Sequence, residues 1–319
     1  VTTPALAARG LEVTFPVGWG SPARAVDGVD LSILPGQIVA LVGESGCGKS
    51  TLARTLLGLQ QPNAGQVLVG GEPLPTSRSA LKAYRRRAQM VLQDPMGALN
   101  PRLTVYESVA EGLRIHRVDG EAERVLGALA RVGLRPPQRF LGRYPRQLSG
   151  GQRQRVAIAG ALVLEPHVLI ADEPVSSLDA SVSGEILALL LRLREQLGLS
   201  ILVITHNLGL AWNIADRIAV MYLGRIIEEG PTEQVLADPK HPYTRALLSV
   251  VPKIDRVKPI VLAGEPPDPT RVPAGCRFHP RCPLLRSGLA GAVAARCRQV
   301  ALPVLPVQAA HAAACHALG

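Results

Sequence analysis

One eight-residue stretch constrains this chain more than any other. Residues 43–50 read GESGCGKS, which is G-x-x-x-x-G-K-[ST]. An apolar strand is expected before it, Ile38–Val42, and a helix after it, from Lys49 to about Leu59. In that context successive backbone N–H groups converge on an anion, and the start of the helix favours negative charge. Such a cradle takes the phosphates of a nucleotide. Lys49 would reach the β- and γ-phosphates, and Ser50 would ligate Mg²⁺. Gly43, Ser45, Gly46, Cys47, Gly48 and Thr51 complete the set expected to hold ATP. The competing reading is a glycine-rich strand-to-helix turn with no ligand.

A second stretch, residues 147–179, reads QLSGGQRQRVAIAGALVLEPHVLIADEPVSSLD. Ser149 is the expected N-cap of a helix running from Gln152 to about Leu164. A short apolar strand, Val168 to Ala171, then ends on Asp172 and Glu173. Acids at the end of a buried strand are costly unless they hold a metal, a proton or a partner. One nucleotide needs only one cradle. A second phosphate-binding helix start at Ser149 and Gly151 therefore points to the nucleotide of another copy, and to a dimer with ATP between subunits.

These motifs resemble the ATP-binding subunit of an ABC transporter. LSGGQ at 148–152, a glycine cradle about 100 residues before it, and LIADEP at 169–174 carry the resemblance. It implies an α/β fold: a P-loop NTPase cassette with a RecA-like core, an antiparallel β part and a helical subdomain at about 95–165. It also implies roles. Gln93, at the start of QDPMGALNP, would contact Mg²⁺ and the attacking water, with Asp172 behind the metal. Glu173 would polarise that water, and His206, after the strand Ser200–Thr205, would steady the γ-phosphate. Ser176–Asp179 (SSLD) would form a dimer contact. An aromatic near the end of the first strand would stack on adenine, with Phe15 and Trp19 as rivals.

Other elements follow from local pattern. Residues 11–15, 29–33 and 65–71 read as strands. Thr104–Glu107 (TVYE) is a capping box opening a helix to about His116. Further helices are expected at Glu121–Val132, stopped by Gly133, and at Val182–Leu197, closed by Gly198. Residues 217–230 read as a hairpin turning at Gly224. Arg85, Arg86 and Arg87 read as a solvated charge run.

The C-terminal part narrows the resemblance. KHPYTRALLSVVP at 240–252, GCRFHPRCP at 275–283 and ACH at 314–316 resemble the oligopeptide/dipeptide importer ATPases of bacteria. That branch implies a second ATP-binding subunit, two integral membrane permease subunits and an extracytoplasmic solute-binding protein. Related systems carry nickel, opines or glutathione. The implied division is a cassette at 1–230, a helical linker at 231–260 and a Cys-rich extension at 261–319. Cys276, Cys282, Cys297 and Cys315 could hold a [4Fe–4S] cluster, as in some members, or zinc, or nothing. Their spacing, C-x5-C-x14-C-x17-C, is no zinc-finger pattern. The long Ala/Gly-rich gap before Cys297 weakens its claim. His279, His311 and His316 are fallback ligands.

Composition bounds the alternatives. The chain has 319 residues, 47% hydrophobic and 19% charged, so it can bury a sizeable core. Aromatics are only 3%, so that core must be mainly aliphatic. The net charge of +10 suits anionic headgroups or nucleotide. No basic groove interleaved with aromatics is visible, so nucleic acid is not expected. Neither a leader pattern at residues 1–10 nor an apolar run of membrane-spanning character appears, so a peripheral place on the cytoplasmic face of the cell membrane is expected. An ABC exporter subunit, a soluble ABC ATPase of repair or translation, and an ABC-like protein without turnover are the remaining readings. The HPYT segment and Cys-rich tail oppose the first. A single cassette without coiled-coil or zinc insertions opposes the second. Intact Glu173 and His206 oppose the third.

Overall fold

The strand Leu6–Phe15 shows how sequence pattern becomes fold. Beyond a bulge at Gly10, Leu11 and Val13 are buried while Glu12 and Thr14 face partly outward. This is the period-two alternation of a sheet with one dry face. The strand pairs antiparallel with Ala23–Ile33, Leu6 opposite Ile33 and Phe15 opposite Ala23.

The computed structural model describes residues 2–18, 20–251, 259–288, 291–306 and 310–318. It divides into two compact units. The first comprises residues up to 33, 38–74 and 205 onward; the second comprises 34–37 and 75–204.

In the first unit an antiparallel sheet runs in the order Ala23–Ile33, Leu6–Phe15, Ala64–Val69, Glu72–Pro73. A separate row of strands carries the glycine cradle. Ile38–Val42, buried at every position, runs parallel to Arg217–Tyr222. That strand turns back through Leu223 and Gly224 into Arg225–Pro231. Both turn residues are left-handed, at φ 43° and 80°, as a tight hairpin demands. Arg225–Pro231 in turn pairs with Ala312–Ala313, so the C-terminal tail contributes an edge strand.

Three of the chain's few aromatics cluster in this unit. Tyr222, Tyr243 and Phe278 are among its largest fully buried side chains. Their ring centroids lie 4.7 Å (Tyr222–Tyr243), 5.2 Å (Tyr222–Phe278) and 5.4 Å (Tyr243–Phe278) apart, in tilted and edge-on pairs. Such pairs contribute about 0.5–1.5 kcal/mol each beyond the area they bury. The cluster binds the hairpin of Arg217–Tyr222 and Arg225–Pro231, the helix Pro242–Ser249 and the tail into one core.

In the second unit three parallel strands, Ala88–Val91, Val168–Asp172 and Ser200–Thr205, align Val91 with Ala171 and Asp172 with Ile204. The helices Val105–His116, Glu121–Arg131 and Gly150–Leu162 pack on one another. Thr104 and Glu107 form the expected capping box. Gly133 and Gly198 adopt left-handed φ where their helices stop. A helix not expected from sequence, Arg78–Arg87, starts at Ser77 and carries the three arginines in its last turn, where cations complement the exposed carbonyls. Among the described residues no helix is long and apolar enough to cross a membrane.

Candidate functional site

The glycine cradle leaves the C-terminal end of Ile38–Val42 and enters a helix spanning Lys49–Leu56, shorter than expected. Gly48 caps that helix at φ 108°, and a Cβ there would lie 1.9 Å from the Ala25 carbonyl oxygen. Only glycine fits. Ser45 and Gly46 are exposed, while Gly48, Ser50 and Thr51 are half-buried. The Lys49 ammonium is buried and donates to the carbonyls of Gly43 at 2.8 Å and Glu44 at 2.9 Å. The lysine expected to reach the phosphates is therefore held on its own loop. Cys47 is buried, and burial pushes its thiol up despite the nearby Lys49, so it acts as a small neutral filler. Its carbonyl accepts the Gly224 N–H at 2.9 Å.

Two further residues reach this loop that local pattern did not single out. The Glu44 N–H donates to the Tyr243 hydroxyl at 2.8 Å. The Arg281 guanidinium forks onto the Glu44 carboxylate, at 2.7 and 3.1 Å. Both come from segments noticed only for their wording, HPYT and HPRC. No local signal could have found them, since their partner lies about 200 residues or more away.

Phe15 ends its strand at 37% exposure, open enough for one face to stack on a base. Its rival Trp19 lies outside the described residues. His206 follows Ser200–Thr205 and is exposed. The next residue, Asn207, caps the helix Leu208–Ile214 through its side-chain oxygen, at 2.8 Å from the Gly209 nitrogen.

In the second unit the strand Val168–Asp172 includes Asp172, one residue beyond expectation. Asp172 and Glu173 are both buried. Glu173 sits at φ 48°, left-handed for a residue with a Cβ, which costs on the order of 1 kcal/mol or more. Its N–H donates to the Ile204 carbonyl at 2.9 Å, and its own carbonyl accepts from the Ser176 amide at 3.3 Å and hydroxyl at 3.2 Å. Sequence alone did not disclose this kink. Gln93 lies two residues past the strand Ala88–Val91 and is exposed. Because Val91 pairs with Ala171, Gln93 and Glu173 leave the same edge of adjacent parallel strands. Ligand sites of α/β sheets gather at that edge.

Ser149 caps its helix as expected, but the helix, Gly150–Leu162, begins and ends two residues before the expected bounds. The Ser149 hydroxyl accepts from the Gln152 amide at 3.3 Å, and the Gln152 side chain accepts from the Ser149 amide at 3.1 Å. Ser149 itself is exposed. Gly151 is buried, and a Cβ there would meet Val182 at 2.5 Å. Asp179 caps the following helix, Ala180–Leu197.

Cys276, Cys282 and Cys297 are buried and Cys315 is half-buried; none forms a disulfide. The Cys276 N–H donates to the Cys297 carbonyl at 2.8 Å, so the long insert does not part Cys297 from the others. Cys276 feels the charge of the other three thiols, Cys297 that of Cys282 and Cys315, and Cys315 that of Cys282. Burial pushes Cys276 up to about 12 and raises Cys297 and Cys315 as well. Yet among the described residues no group of three or more His, Cys, Asp or Glu side chains is arranged to hold a metal ion. The fallback histidines are engaged elsewhere. His279 Nδ1 lies 2.9 Å from the Cys276 carbonyl, His316 Nε2 lies 2.8 Å from the Val300 carbonyl, and His311 Nε2 lies 2.8 Å from Glu228.

Residues 26–176 match the ABC transporter family, and residues 227–288 match the oligopeptide/dipeptide transporter C-terminal region. A probable peptide ABC transporter ATP-binding protein of Sinorhizobium fredii is 44% identical over 92% of this chain and 82% of its own length. A dipeptide transport ATP-binding protein of Haemophilus influenzae is 45% identical over 88% of this chain and 89% of its own. Among solved structures, a Clostridium perfringens protein described as part of an ABC transporter complex has a TM-score of 0.66 at 33% identity, covering 74% of this chain and 92% of that one. A dimeric ATP-binding cassette bound to ADP and Pi has a TM-score of 0.64 at 31% identity, covering 71% and 98%.

Proposed function

Because the chain belongs to the ATP-binding subunits of ABC transporters, in the branch with an oligopeptide/dipeptide transporter C-terminal region, we propose that it binds and hydrolyses ATP to power uptake of oligopeptides or dipeptides. The observation that carries the reading is the Gly43–Ser50 cradle, with Lys49 held over its own loop, in a chain that also has LSGGQ.

Phosphoryl transfer asks the protein mainly for positioning and charge stabilisation. The 43–51 backbone and Lys49 hold the phosphates, and Phe15 takes the base. Glu173, fixed by its kink, accepts a hydrogen bond from the water that attacks the γ-phosphorus as the bond to ADP breaks. His206 steadies the γ-phosphate. Ser149 and Gly151 serve the nucleotide held by a second ATP-binding subunit. Ser50, Asp172 and Gln93 offer the hard oxygen donors that suit Mg²⁺. That ion, when bound, offsets charge on the β- and γ-phosphates. The partners proposed are a second ATP-binding subunit, two membrane permeases and a solute-binding protein, with this chain peripheral on the cytoplasmic face.

A [4Fe–4S] cluster on Cys276, Cys282, Cys297 and Cys315 is a finer proposal. Its support is that four mostly buried thiols share one electrostatic neighbourhood. As placed, the side chains do not close around an ion, so loading would require them to turn. Iron and acid-labile sulfide assayed after anaerobic purification test this; a colourless, iron-free protein overturns it.

The transport reading is tested by purifying the chain from native membranes and identifying what accompanies it. Two multispanning proteins and a related ATPase are expected, together with ATP-dependent peptide uptake by the reconstituted complex. Only soluble partners would overturn it.

A further inference from the structure

Glu44 is an anion in a loop built to hold a polyanion. Three contacts fix it. Its N–H donates to the Tyr243 hydroxyl at 2.8 Å, its carbonyl accepts from Lys49 at 2.9 Å, and its carboxylate takes the Arg281 fork at 2.7 and 3.1 Å. Arg281 is buried and also lies 3.5 Å from the Tyr222 hydroxyl. Burial opposes its charge, but the Glu44 and Tyr222 hydrogen bonds outweigh that and keep the guanidinium ionised. Bidentate pairs of this kind fix geometry as well as charge.

We propose that Arg281 is a positioning residue of the nucleotide site: from the C-terminal tail it neutralises Glu44 and holds the loop that carries Lys49. The proposal rests on the ATP-binding reading above. It makes the tail a working part of the cradle rather than an appendage. A second tie supports it. Arg277, four residues earlier, donates to the Leu223 carbonyl and pairs with Asp27, and the adjoining Gly224 N–H holds the Cys47 carbonyl. The segment between Cys276 and Cys282 thus grips the loop directly at Glu44 and, through the hairpin turn, at Cys47.

A contact that merely glued the tail down would respond differently to mutation. With Arg281 removed, the Glu44 carboxylate faces the incoming triphosphate uncompensated. Removing that carboxylate as well should then restore affinity, whereas lost glue cannot be restored by a second loss. The experiment is equilibrium titration of the full chain with a fluorescent ATP analogue, with thermal midpoints measured alongside. Arg281→Ala should weaken binding by on the order of tenfold, and Arg281→Lys, which keeps charge but loses the fork, by a few-fold. The double variant Arg281→Ala/Glu44→Gln should recover most of the loss. Arg281→Ala binding within twofold of the parent, or a double variant as weak as the single one, overturns the proposal. If Arg281→Ala does not fold, Arg281→Gln, which also removes the charge but fills more of the space, carries the same comparison alone and with Glu44→Gln. A parent chain that binds no nucleotide would instead sink the ATP-binding reading itself.

Discussion

His311 Nε2 lies 2.8 Å from the Glu228 carboxylate, in a pocket where Glu228 is wholly buried. The same carboxylate accepts the N–H of Lys240 at 2.7 Å and of His241 at 2.8 Å. One acid on a cassette strand thereby anchors both the HPYT helix and the start of the tail strand Ala312–Ala313. Glu228→Ala leaves buried donors unpaired and should destabilise the chain by about 3 kcal/mol. Urea unfolding reads this directly; an unchanged midpoint would mean the carboxylate anchors nothing.

Acid should loosen the same region. Burial pulls the His241 imidazole from 6.5 down to about 3. Its Nδ1 accepts the Tyr243 N–H at 3.1 Å, as an unprotonated nitrogen must. The unfolded chain takes up this proton near pH 6.5, and the folded chain only near pH 3. Its full contribution to stability is thus present above pH 6.5 and is lost as pH falls toward 3, at up to about 1.4 kcal/mol per unit. His241→Asn keeps a cap acceptor but removes the titration. From pH 7 to 5 the parent should lose about 2 kcal/mol more than this variant. Equal losses would show that the ring is not held neutral.

Glu173→Gln should cut ATP hydrolysis on the order of 10²–10⁴-fold while sparing ATP binding. The amide keeps the side chain's size but cannot polarise water as a carboxylate does. Phosphate release by the assembled transporter, set against nucleotide affinity, separates the two effects. Near-normal turnover would remove Glu173 from the mechanism.

Gly48→Ala should abolish nucleotide binding. The added methyl would meet the Ala25 carbonyl at 1.9 Å, on a backbone at φ 108° that alanine rarely adopts. The loop must move or the sheet must open, at a cost of about 2 kcal/mol or more. Calorimetric titration with ATP checks it, and retained affinity would show that the cradle tolerates a side chain there.

Much of the molecule was legible from neighbours in sequence. The strand Ile38–Val42, the caps at Thr104 and Ser149, the stops at Gly133 and Gly198 and the hairpin at Gly224 all stand where local pattern put them. Each rests on a period of two or 3.6, or on a residue type that one backbone geometry requires, and those are properties of a few adjacent residues. Family wording added the fold and family, and it suggested roles for Asp172, Glu173, Gln93 and His206.

Local pattern could not disclose the left-handed turn at Glu173, whose amide is spent on Ile204 of the neighbouring strand. Nor could it show that the fallback histidines are tied to carbonyls and to Glu228. Least of all could it pair Glu44 with Tyr243, 199 residues on, or with Arg281, 237 residues on. Sequence by itself determined the elements and the chemistry available to them, because backbone preference and hydrophobic period act over a turn or two. Tertiary structure alone decided what holds the cradle, because a hydrogen bond between distant residues forms only after packing has brought them together and excluded water from the contact.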